Sequence, residues 1–211
     1  MITICHLSRS RSERIVWLME ELGLPYVLEW HEREPTGAAP PPLKATHPVG
    51  KAPVIRDGEA VIAESGAIVE YIVRKHAQGR LAMEPGDPDF ARYLFWMHFA
   101  EGSLMTVMIT ALTLSRITEA ASSPVKARVD NRVKQLLAFV DAELAGRDYI
   151  AGAQFTAADV MMEFPFGTMQ LFLECDLAPY ANAAAWHQRL RARPAYQKAM
   201  ALAGPTAGAP K

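Results

Sequence analysis

The segment 49–72, VGKAPVIRDGEAVIAESGAIVEYI, most narrows what this chain of 211 residues can fold into. Asp57-Gly58 lies between two short β-rich stretches, Pro53–Ile55 and Ala60–Ala63, and this pattern predicts a tight hairpin. A helical pattern, Ser65–Lys75, follows directly, with apolar residues spaced to face inward. The segment combines a lysine, a strand-opening proline, a hairpin and an acidic helix start. These are the parts needed to hold a small peptide with an amino-acid-like end.

The residues before this segment predict a strand, a helix and a second strand. Ile2–His6 and Tyr26–Trp30 are β-rich, and the helix Ser10–Leu22 between them carries one apolar face. Ser10 and Glu13 stand in a capping-box pattern, which predicts Ser10 as the N-cap.

Prolines are frequent in residues 34–48, where we expect an irregular surface loop. The predicted order over residues 1–77 is β-α-β, this loop, and then β-β-α. Residues 78–89 are rich in glycine and proline and predict a linker, and residues 90–211 read as wholly helical up to a loose tail at 204–211. The predicted helices of this second part are 90–117, Pro124–Leu144, Thr156–Leu173, Tyr180–Arg191 and Pro194–Leu202.

Charge and composition argue against several classes of protein. The formal net charge is −1, so there is no general basic field to attract nucleic acid. The longest uncharged run, Gly102–Ser115, is shorter than the roughly 20 apolar residues of a membrane-spanning helix, and the N-terminus lacks the features of a signal peptide. Cys5 and Cys175 show neither a disulfide pattern nor a metal-ligand spacing. We therefore expect a cytoplasmic protein with no metal, no nucleic-acid partner and no membrane association.

Four sequence features are weak signals one by one but strong in combination, because they occur in the right order and spacing along the chain. They are the thioredoxin-like order of elements in the first 77 residues, Gly-Lys-x-Pro-Val at Gly50–Val54, Glu64-Ser65, and Phe-Thr-Ala-Ala-Asp at Phe155–Asp159. In these residues the chain resembles the cytosolic glutathione transferases over residues 1–203. The runs SRSRSERIVWLMEELGLPY and ADVMMEFPF are most similar to the serine-using type of fungi and bacteria.

The resemblance implies a fold and a set of partners. The fold is an α/β thioredoxin-like N-terminal domain, residues 1–77, followed after the linker by an all-α C-terminal helical domain, residues 90–211, which is the glutathione transferase architecture. The implied molecule is a homodimer that uses glutathione as a co-substrate and binds an electrophile against the second domain.

The resemblance also implies how glutathione is held. Its γ-glutamyl end is a zwitterion: Ser65, at a helix start with unsatisfied N–H groups, would bind the carboxylate, and Glu64 would face the ammonium. A cis Ala52–Pro53 bond would leave the backbone of Ala52 able to pair with the cysteinyl part like an added strand, and Lys51 would meet the glycyl carboxylate. From the residues alone, a helix-capping Ser65, a solvated Lys51 and a trans Pro53 are also consistent with the pattern.

Activation of the thiol is the next requirement. A free cysteine thiol has a pKa near 8.5, so it must fall by about 2 units, about 3 kcal/mol, to be mostly thiolate at neutral pH. A hydroxyl donor supplies part of this, and Ser10 stands where the family places its thiol-activating group. Ser8 and Ser12 remain alternatives because of the S-R-S-R-S repeat, whereas Ser10 is also explained as a helix cap alone. His6 is interpreted as structural or pocket lining.

The second substrate is expected to bind between the Leu7–Arg11 loop and the long helix that begins at Phe90, with Leu7, Arg11, Trp96 and Met97 as candidate contacts. The Thr156-x-x-Asp159 pattern is interpreted as a capping box that serves folding. The leading hypothesis is a detoxifying transferase in which glutathione thiolate attacks a small hydrophobic electrophile. The alternatives are a glutathione-binding interaction or regulatory protein with little catalysis, or a specialised glutathione-dependent isomerase, dehalogenase or peroxidase.

Overall fold

The structure is a computed structural model that describes residues 1–209. The described residues form two compact units. The first comprises Met1–Ala82 with the described residues from Arg191 onward, and the second is Met83–Leu190.

The first unit is built on a four-stranded mixed sheet. Its strands are β1 (Ile2–Leu7), β2 (Tyr26–His31), β3 (Val54–Asp57) and β4 (Ala60–Ala63), in the spatial order β2-β1-β3-β4. β1 pairs with β2 in parallel, and the β1–β3 and β3–β4 pairs are antiparallel. The predicted hairpin is confirmed, since Asp57 pairs with Ala60 around Gly58, whose φ of +62° is the left-handed conformation that glycine adopts without steric cost.

Within residues 1–82, α1 (Glu13–Leu22) lies between β1 and β2, and α2 (Pro41–Thr46) lies between β2 and β3. α3 (Ser65–Tyr71) follows β4 and continues as a π-helical segment, Ile72–His76. α1 buries most of its side chains, Glu13 and Arg14 included, so it is covered on more than the one apolar face that its periodicity predicts. It ends where the sequence indicates: Gly23 has φ +63°, and the N–H of Leu24 donates to the carbonyl of Met19 at 3.0 Å.

The predicted start of α1 at Ser10 is wrong. The helix begins at Glu13, and Ser12 occupies the N-cap position without a side-chain capping bond. The Ser10 hydroxyl oxygen instead lies 2.7 Å from the Ser12 hydroxyl oxygen and accepts from the Ser12 N–H at 3.3 Å. Because Ser10 bonds within this loop rather than to the first helical turn, it is not the cap.

The expectation of an irregular loop over residues 34–48 is also wrong in part. Pro41–Thr46 forms the short helix α2, whose prolines occupy the first turn, where a missing N–H costs nothing. Leu43 is fully buried and packs in a core cluster with Leu7, Val54 and Ala63, so one apolar contact stabilises this turn.

The second unit is helical. Its helices are α4 (Phe90–Phe99), α5 (Thr106–Ser115), α6 (Pro124–Glu143), α7 (Ala157–Phe166), α8 (Gln170–Leu173) and α9 (Ala181–Arg191), with a π-helical segment, Ala100–Met105, between α4 and α5 and a 3₁₀ turn, Thr118–Ala120, before α6.

α4, the π-helical segment and α5 form one continuous helix, Phe90–Ser115, of 26 residues. This agrees with the predicted helix 90–117. By length and composition the run could cross a membrane, which differs from the expectation based on the uncharged run Gly102–Ser115 alone. The core helix of a soluble protein passes the same test, and 39% of the most apolar window is buried in the structure.

The single helix predicted for Thr156–Leu173 is interrupted. α7 ends at Phe166, and α8 begins only at Gln170. Pro165 lacks the N–H that would continue the helical ladder, Gly167 leaves the helical conformation, and the side-chain amide of Gln170 donates to the carbonyl of Pro165. The capping box at the start of α7 is confirmed.

The last helix, α10 (Pro194–Ala203), packs on α1 in the first unit, although the sequence placed it with the helical domain. Trp17 meets Tyr196 edge to face at 5.0 Å, and the Arg193 guanidinium makes two bonds, 2.6 and 2.8 Å, to the Glu21 carboxylate. The predicted tail 204–211 is described only as far as residue 209; residues 210–211 lie outside the described part.

Candidate functional site

The first unit contains a cavity of about 100 Å³ at the edge of its sheet. The cavity unites all five residues that the sequence predicts for glutathione with three others, and its lining is Arg11, Val49, Lys51, Ala52, Pro53, Ala63, Glu64 and Ser65. Val49 and Ala63 were missed in the sequence, although each stands within two residues of a predicted one. Arg11, which we expected beside the electrophile, lies here.

The backbone around the cavity has two unusual conformations. The Ala52–Pro53 bond is cis, as the family resemblance implies, and Pro53 is buried just before β3. Glu64 has φ +72° and ψ 121°, a region that non-glycine residues rarely adopt, while its carbonyl accepts the helical bond from the Ile68 N–H at 2.9 Å. Backbone outliers of the Glu64 kind concentrate at ligand sites, because a folded protein retains them where geometry matters for function.

The charges of the cavity are mixed. Lys51 and Glu64 are exposed, Arg11 is half-buried, and the Ser65 hydroxyl sits at the start of α3 in a residue only 3% exposed. Two cations, one anion and a buried hydroxyl therefore surround a small space. This arrangement matches a ligand that carries both signs of charge with an excess of negative charge.

Ser10 lies one residue before Arg11, in a chain of buried hydrogen bonds. Its hydroxyl oxygen is 2.7 Å from that of Ser12, which is 2.9 Å from Nδ1 of His6. The Ser12 oxygen also accepts from the N–H of Leu7 at 3.2 Å. Ser12 and His6 are fully buried, whereas Ser10 retains 6% exposure.

The surroundings of His6 keep its ring neutral. The ring lies 4.5 Å from that of Trp30, and burial lowers the pKa of His6 to about 4, with Glu32 raising it and His31 lowering it to smaller extents. Among residues 1–209, Nε2 of His6 has no hydrogen-bond partner. The interpretation of His6 as structural or pocket lining did not include its bond to Ser12; a histidine inside a strand predicted to be buried was the available signal.

The remaining candidates occupy packing positions. Leu7 is part of the core cluster beside β3, and Trp96 is fully buried among Phe95, Phe99 and Phe139. Met97 is 4% exposed. Their predicted contact with an electrophile stays a prediction.

Cys5 and Ser8 are two other buried side chains near Ser10 in the sequence that could carry chemistry. Cys5 is a buried free cysteine in β1, and burial raises its thiol pKa. Ser8 is 5% exposed and its hydroxyl has no partner within residues 1–209. Within the same range no group of three or more His, Cys, Asp or Glu side chains could hold a metal ion.

A larger cavity of about 740 Å³ lies in the helical unit. It is lined by α5, α6, α8 and the residues that follow α8, including Lys126, Asp130, Phe172 and Tyr180. Cys175 also lines it, and burial together with Asp130 raises the pKa of that thiol. None of the residues predicted for the electrophile lines this cavity.

Comparison with known proteins decides the family. The model of the glutathione S-transferase N-terminal domain matches residues 4–80, and that of the C-terminal domain matches residues 103–194. Glutathione S-transferase 3 of Schizosaccharomyces pombe is 36% identical over 92% of this chain and 85% of its own. The chain belongs to the glutathione S-transferase family. Its fold class and its assignment as a transferase enzyme are thereby confirmed, whereas the serine-using subclass stays a prediction.

Solved glutathione transferases agree with the fold. A glutathione S-transferase from Actinobacillus pleuropneumoniae superposes with a TM-score of 0.88 at 32% identity, over 98% of this chain and 95% of that one. A sphingomonad glutathione S-transferase, solved in complex with glutathione, has a TM-score of 0.76 at 25% identity, over 96% and 98% of the two chains.

Proposed function

We propose that this glutathione transferase activates the thiol of glutathione for attack on a small hydrophobic electrophile. The observation that carries the proposal is the cavity in the first unit, which Arg11, Lys51, Glu64 and Ser65 line together with Ala52. Glutathione has two carboxylates and one ammonium, so its charges complement those of the cavity.

Each part of glutathione has a partner in this proposal. The γ-glutamyl carboxylate binds the hydroxyl and N–H groups at Ser65, and the ammonium faces Glu64. Lys51 approaches the glycyl carboxylate, and the backbone of Ala52 pairs with the cysteinyl residue. A volume of about 100 Å³ suits one amino-acid-sized end of the ligand. The remainder of the tripeptide then lies outside the cavity.

In this proposal Ser10 is the residue that activates the glutathione thiol. The glutathione thiol releases its proton to solvent, and the Ser10 hydroxyl donates a hydrogen bond that stabilises the resulting thiolate. The thiolate then forms a bond to the electrophilic carbon, and the leaving group, or the oxygen of an opened strained ring, departs with the electron pair of the bond that breaks. Ser12 is fully buried and bonded within the loop, which supports Ser10 over Ser12 as the residue that meets a ligand.

Replacing Ser65 with alanine tests the glutathione site. We expect the dissociation constant of glutathione to rise about tenfold, because a hydrogen bond to a charged group contributes about 1.5–3 kcal/mol. Isothermal titration calorimetry measures it, with Ser122→Ala, at an exposed serine of the helical unit, as the matched control. Absence of heat and of thermal stabilisation by millimolar glutathione in the unaltered protein would remove the proposal.

Turnover separates the transferase from the alternatives. A glutathione-binding regulatory protein would bind with the same affinity but show no conjugation. A panel of aryl halides, epoxides and hydroperoxides distinguishes a general transferase from a dehalogenase or peroxidase, and an unsaturated carbonyl substrate tests for isomerase activity. We expect conjugation of aryl halides. The cytoplasmic location and the role in detoxification stay predictions.

The homodimer is part of the proposal, and an exposed aromatic face supports it. Phe95 on α4 is 47% exposed and Phe139 on α6 is 38% exposed, and their rings lie 6.0 Å apart. Phe95 and Phe99 also line an open depression of about 450 Å³ with His98 and Gly102. Exposed apolar patches of this kind mark interaction surfaces, and a second copy of the chain is the partner we propose.

The change Phe95→Glu is expected to convert the dimer to monomer at micromolar concentration, because it places a charge in the centre of an apolar contact. Sedimentation velocity measures the change. Leu171→Glu is the control, because it introduces the same charged residue at another exposed apolar position, on α8, where the side chain is 60% exposed. A dimer that survives Phe95→Glu would place the interface elsewhere, and an unaltered protein that sediments as a monomer would end this part of the proposal.

A further inference from the structure

We propose that His6 is a positioning residue for Ser10, because through Ser12 it orients a chain of hydrogen bonds that leaves the Ser10 proton directed at the ligand. The inference rests on the proposed role of Ser10 in thiol activation. It concerns a histidine that lies inside β1, has no exposure and does not line the glutathione cavity.

The Ser12 hydroxyl is the centre of the chain, and its hydrogen-bonding capacity is limited. A hydroxyl has one proton to donate and two lone pairs that accept. One lone pair of Ser12 accepts from the N–H of Leu7 at 3.2 Å. If Nδ1 of His6 carries a proton, it donates to the second lone pair at 2.9 Å. Ser12 then has only its own proton to use.

That proton has two acceptors within reach. The Ser10 oxygen lies at 2.7 Å and the carbonyl of Leu7 at 3.4 Å. The shorter contact is the better hydrogen bond, so Ser12 donates to Ser10. The Ser10 oxygen also accepts from the Ser12 N–H at 3.3 Å. Both lone pairs of Ser10 are then occupied from inside the protein, and its proton remains available to an external acceptor such as a thiolate.

The other tautomer of His6 reverses the chain. With the proton on Nε2, Nδ1 accepts from Ser12, and Ser12 accepts from Ser10 at the same 2.7 Å. Ser10 then donates inward and presents a lone pair to the ligand, which a thiolate cannot use. The tautomer of a buried histidine therefore decides whether Ser10 can stabilise negative charge on sulfur.

Burial selects the first tautomer. Nε2 of His6 has no hydrogen-bond partner within residues 1–209. A buried N–H without an acceptor is rarer and costlier than a buried acceptor without a donor. The proton therefore resides on Nδ1, where Ser12 accepts it. The neutral ring that this requires agrees with the lowered pKa of His6: burial lowers it most, His31 lowers it to a smaller extent, and Glu32 opposes them by raising it.

Nitrogen-15 NMR of the free protein tests the tautomer directly. Two-bond couplings between the ring nitrogens and carbon-bound protons distinguish Nδ1–H from Nε2–H. His6 is expected to be neutral and protonated on Nδ1 at neutral pH, and the spectrum of His6→Leu assigns the signal. An Nε2–H or a doubly protonated ring would overturn the inference. This result does not depend on whether the protein binds glutathione.

A pair of substitutions tests the consequence for catalysis. His6→Leu removes the donor to Ser12, whereas His6→Asn places an amide N–H close to the position of Nδ1 and restores it. We expect His6→Leu to raise the pKa of enzyme-bound glutathione by about one unit and to lower kcat/KM about tenfold at neutral pH, since one pKa unit is a tenfold change in thiolate fraction. The KM for glutathione should change by less than about threefold, because His6 makes no contact with the ligand cavity.

Rescue by asparagine separates positioning from packing. Both substitutions remove the imidazole ring and its contact with Trp30, and asparagine leaves more empty space than leucine, so a packing defect would affect His6→Asn at least as much as His6→Leu. We expect His6→Asn to retain at least about half of the unaltered kcat/KM and the unaltered thiol pKa. Equal losses in the two variants, or an unchanged thiol pKa in His6→Leu, would overturn the inference.

Failure of this inference can be distinguished from failure of the proposed function. If Ser10→Ala proves inactive in the same assays while His6→Leu is normal, only the inference fails. If the unaltered protein binds no glutathione, the proposed function fails, and the NMR result still decides the tautomer.

Discussion

Replacing Ser10 with alanine is expected to lower kcat/KM about 30- to 100-fold at neutral pH with little change in the KM for glutathione. A hydrogen bond to a charged group contributes about 1.5–3 kcal/mol, and its loss raises the pKa of the bound thiol by about 1–2 units. Arg11, Lys51, Glu64 and Ser65 are among the residues that line the cavity proposed for glutathione, and Ser10 is not, so we expect glutathione binding itself to depend little on the Ser10 hydroxyl.

The pH profile makes this prediction specific. Activity of the Ser10→Ala variant should recover as pH rises towards the pKa of the unassisted thiol, near 8.5, because the bound thiol then ionises without the Ser10 hydrogen bond. Ultraviolet absorbance of the bound thiolate, titrated in both proteins, measures the shift without turnover. A variant with the unaltered thiol pKa and unaltered kcat would show that Ser10 has no part in activation.

Ser8→Ala is the matched control. Ser8 is 5% exposed, close to the 6% of Ser10, and its hydroxyl has no partner in the described part of the chain. Removing this hydroxyl breaks no side-chain hydrogen bond within residues 1–209 and relieves the cost of an unpartnered buried polar group, so we expect the free energy of unfolding not to fall and kcat/KM to change by less than about twofold. A loss of activity in Ser8→Ala rather than in Ser10→Ala would transfer the role to Ser8, which the S-R-S-R-S repeat left open.

The first unit could be predicted well because its signals are local. The Asp57-Gly58 turn and the stop at Gly23 each depend on a few neighbouring residues, and the structure places β3, β4 and the end of α1 accordingly. The cis Ala52–Pro53 bond was different, since the residues alone favoured trans and only the family resemblance indicated cis.

The errors arise where distant or competing contacts decide. Ser10 fits a capping box, yet its hydroxyl bonds to Ser12 because His6 and Leu7 converge on the same loop, and no pattern in the sequence showed that convergence. α10 was assigned to the helical domain by its position in the chain. Its contacts are with α1, through Tyr196 and Arg193, and such packing is visible only in three dimensions.

The residues of the candidate site show the same difference between local motifs and long-range packing. Lys51, Glu64 and Ser65 were identified by motif, and the structure brings them around one cavity. The electrophile contacts were chosen from a helix crowded with aromatic residues, where periodicity cannot distinguish packing from pocket lining. Trp96 is fully buried within that aromatic cluster, which shows how readily such residues serve the core.

Replacing Asp159 with alanine is expected to reduce the free energy of unfolding by about 4 kcal/mol. A capping interaction alone contributes about 0.5–2 kcal/mol, but the structure shows more than a cap. Asp159 is fully buried; Oδ1 accepts from the Ile150 N–H and from Nε1 of Trp186, both at 2.9 Å, and Oδ2 accepts from the Thr156 N–H at 2.9 Å. Alanine leaves these three donors buried without an acceptor, at about 1–3 kcal/mol each before relaxation.

Urea denaturation of the Asp159→Ala variant measures this loss. Asp148→Ala is the control, since the Asp148 side chain is 68% exposed and its pair with Arg189, at 3.2 Å, is a surface ion pair. We expect a change of less than about 0.5 kcal/mol there. A loss below about 2 kcal/mol in Asp159→Ala would mean that the donors find other acceptors and that the network is a simple cap.

The pH dependence gives an independent check on the same carboxyl group. Burial raises the pKa of Asp159 from 3.8 to about 6, against the lowering effect of its donors. Because its folded pKa is higher than its unfolded pKa, the native state binds more protons between these values, and stability must fall as pH rises from about 4 to about 6. Asp159→Asn cannot titrate and lacks this contribution. The stability of the unaltered protein relative to Asp159→Asn should therefore decrease by up to about 3 kcal/mol over that range and become constant above it. A difference that is independent of pH, or that increases with pH, would show that the hydrogen-bond donors outweigh desolvation and keep Asp159 ionised throughout.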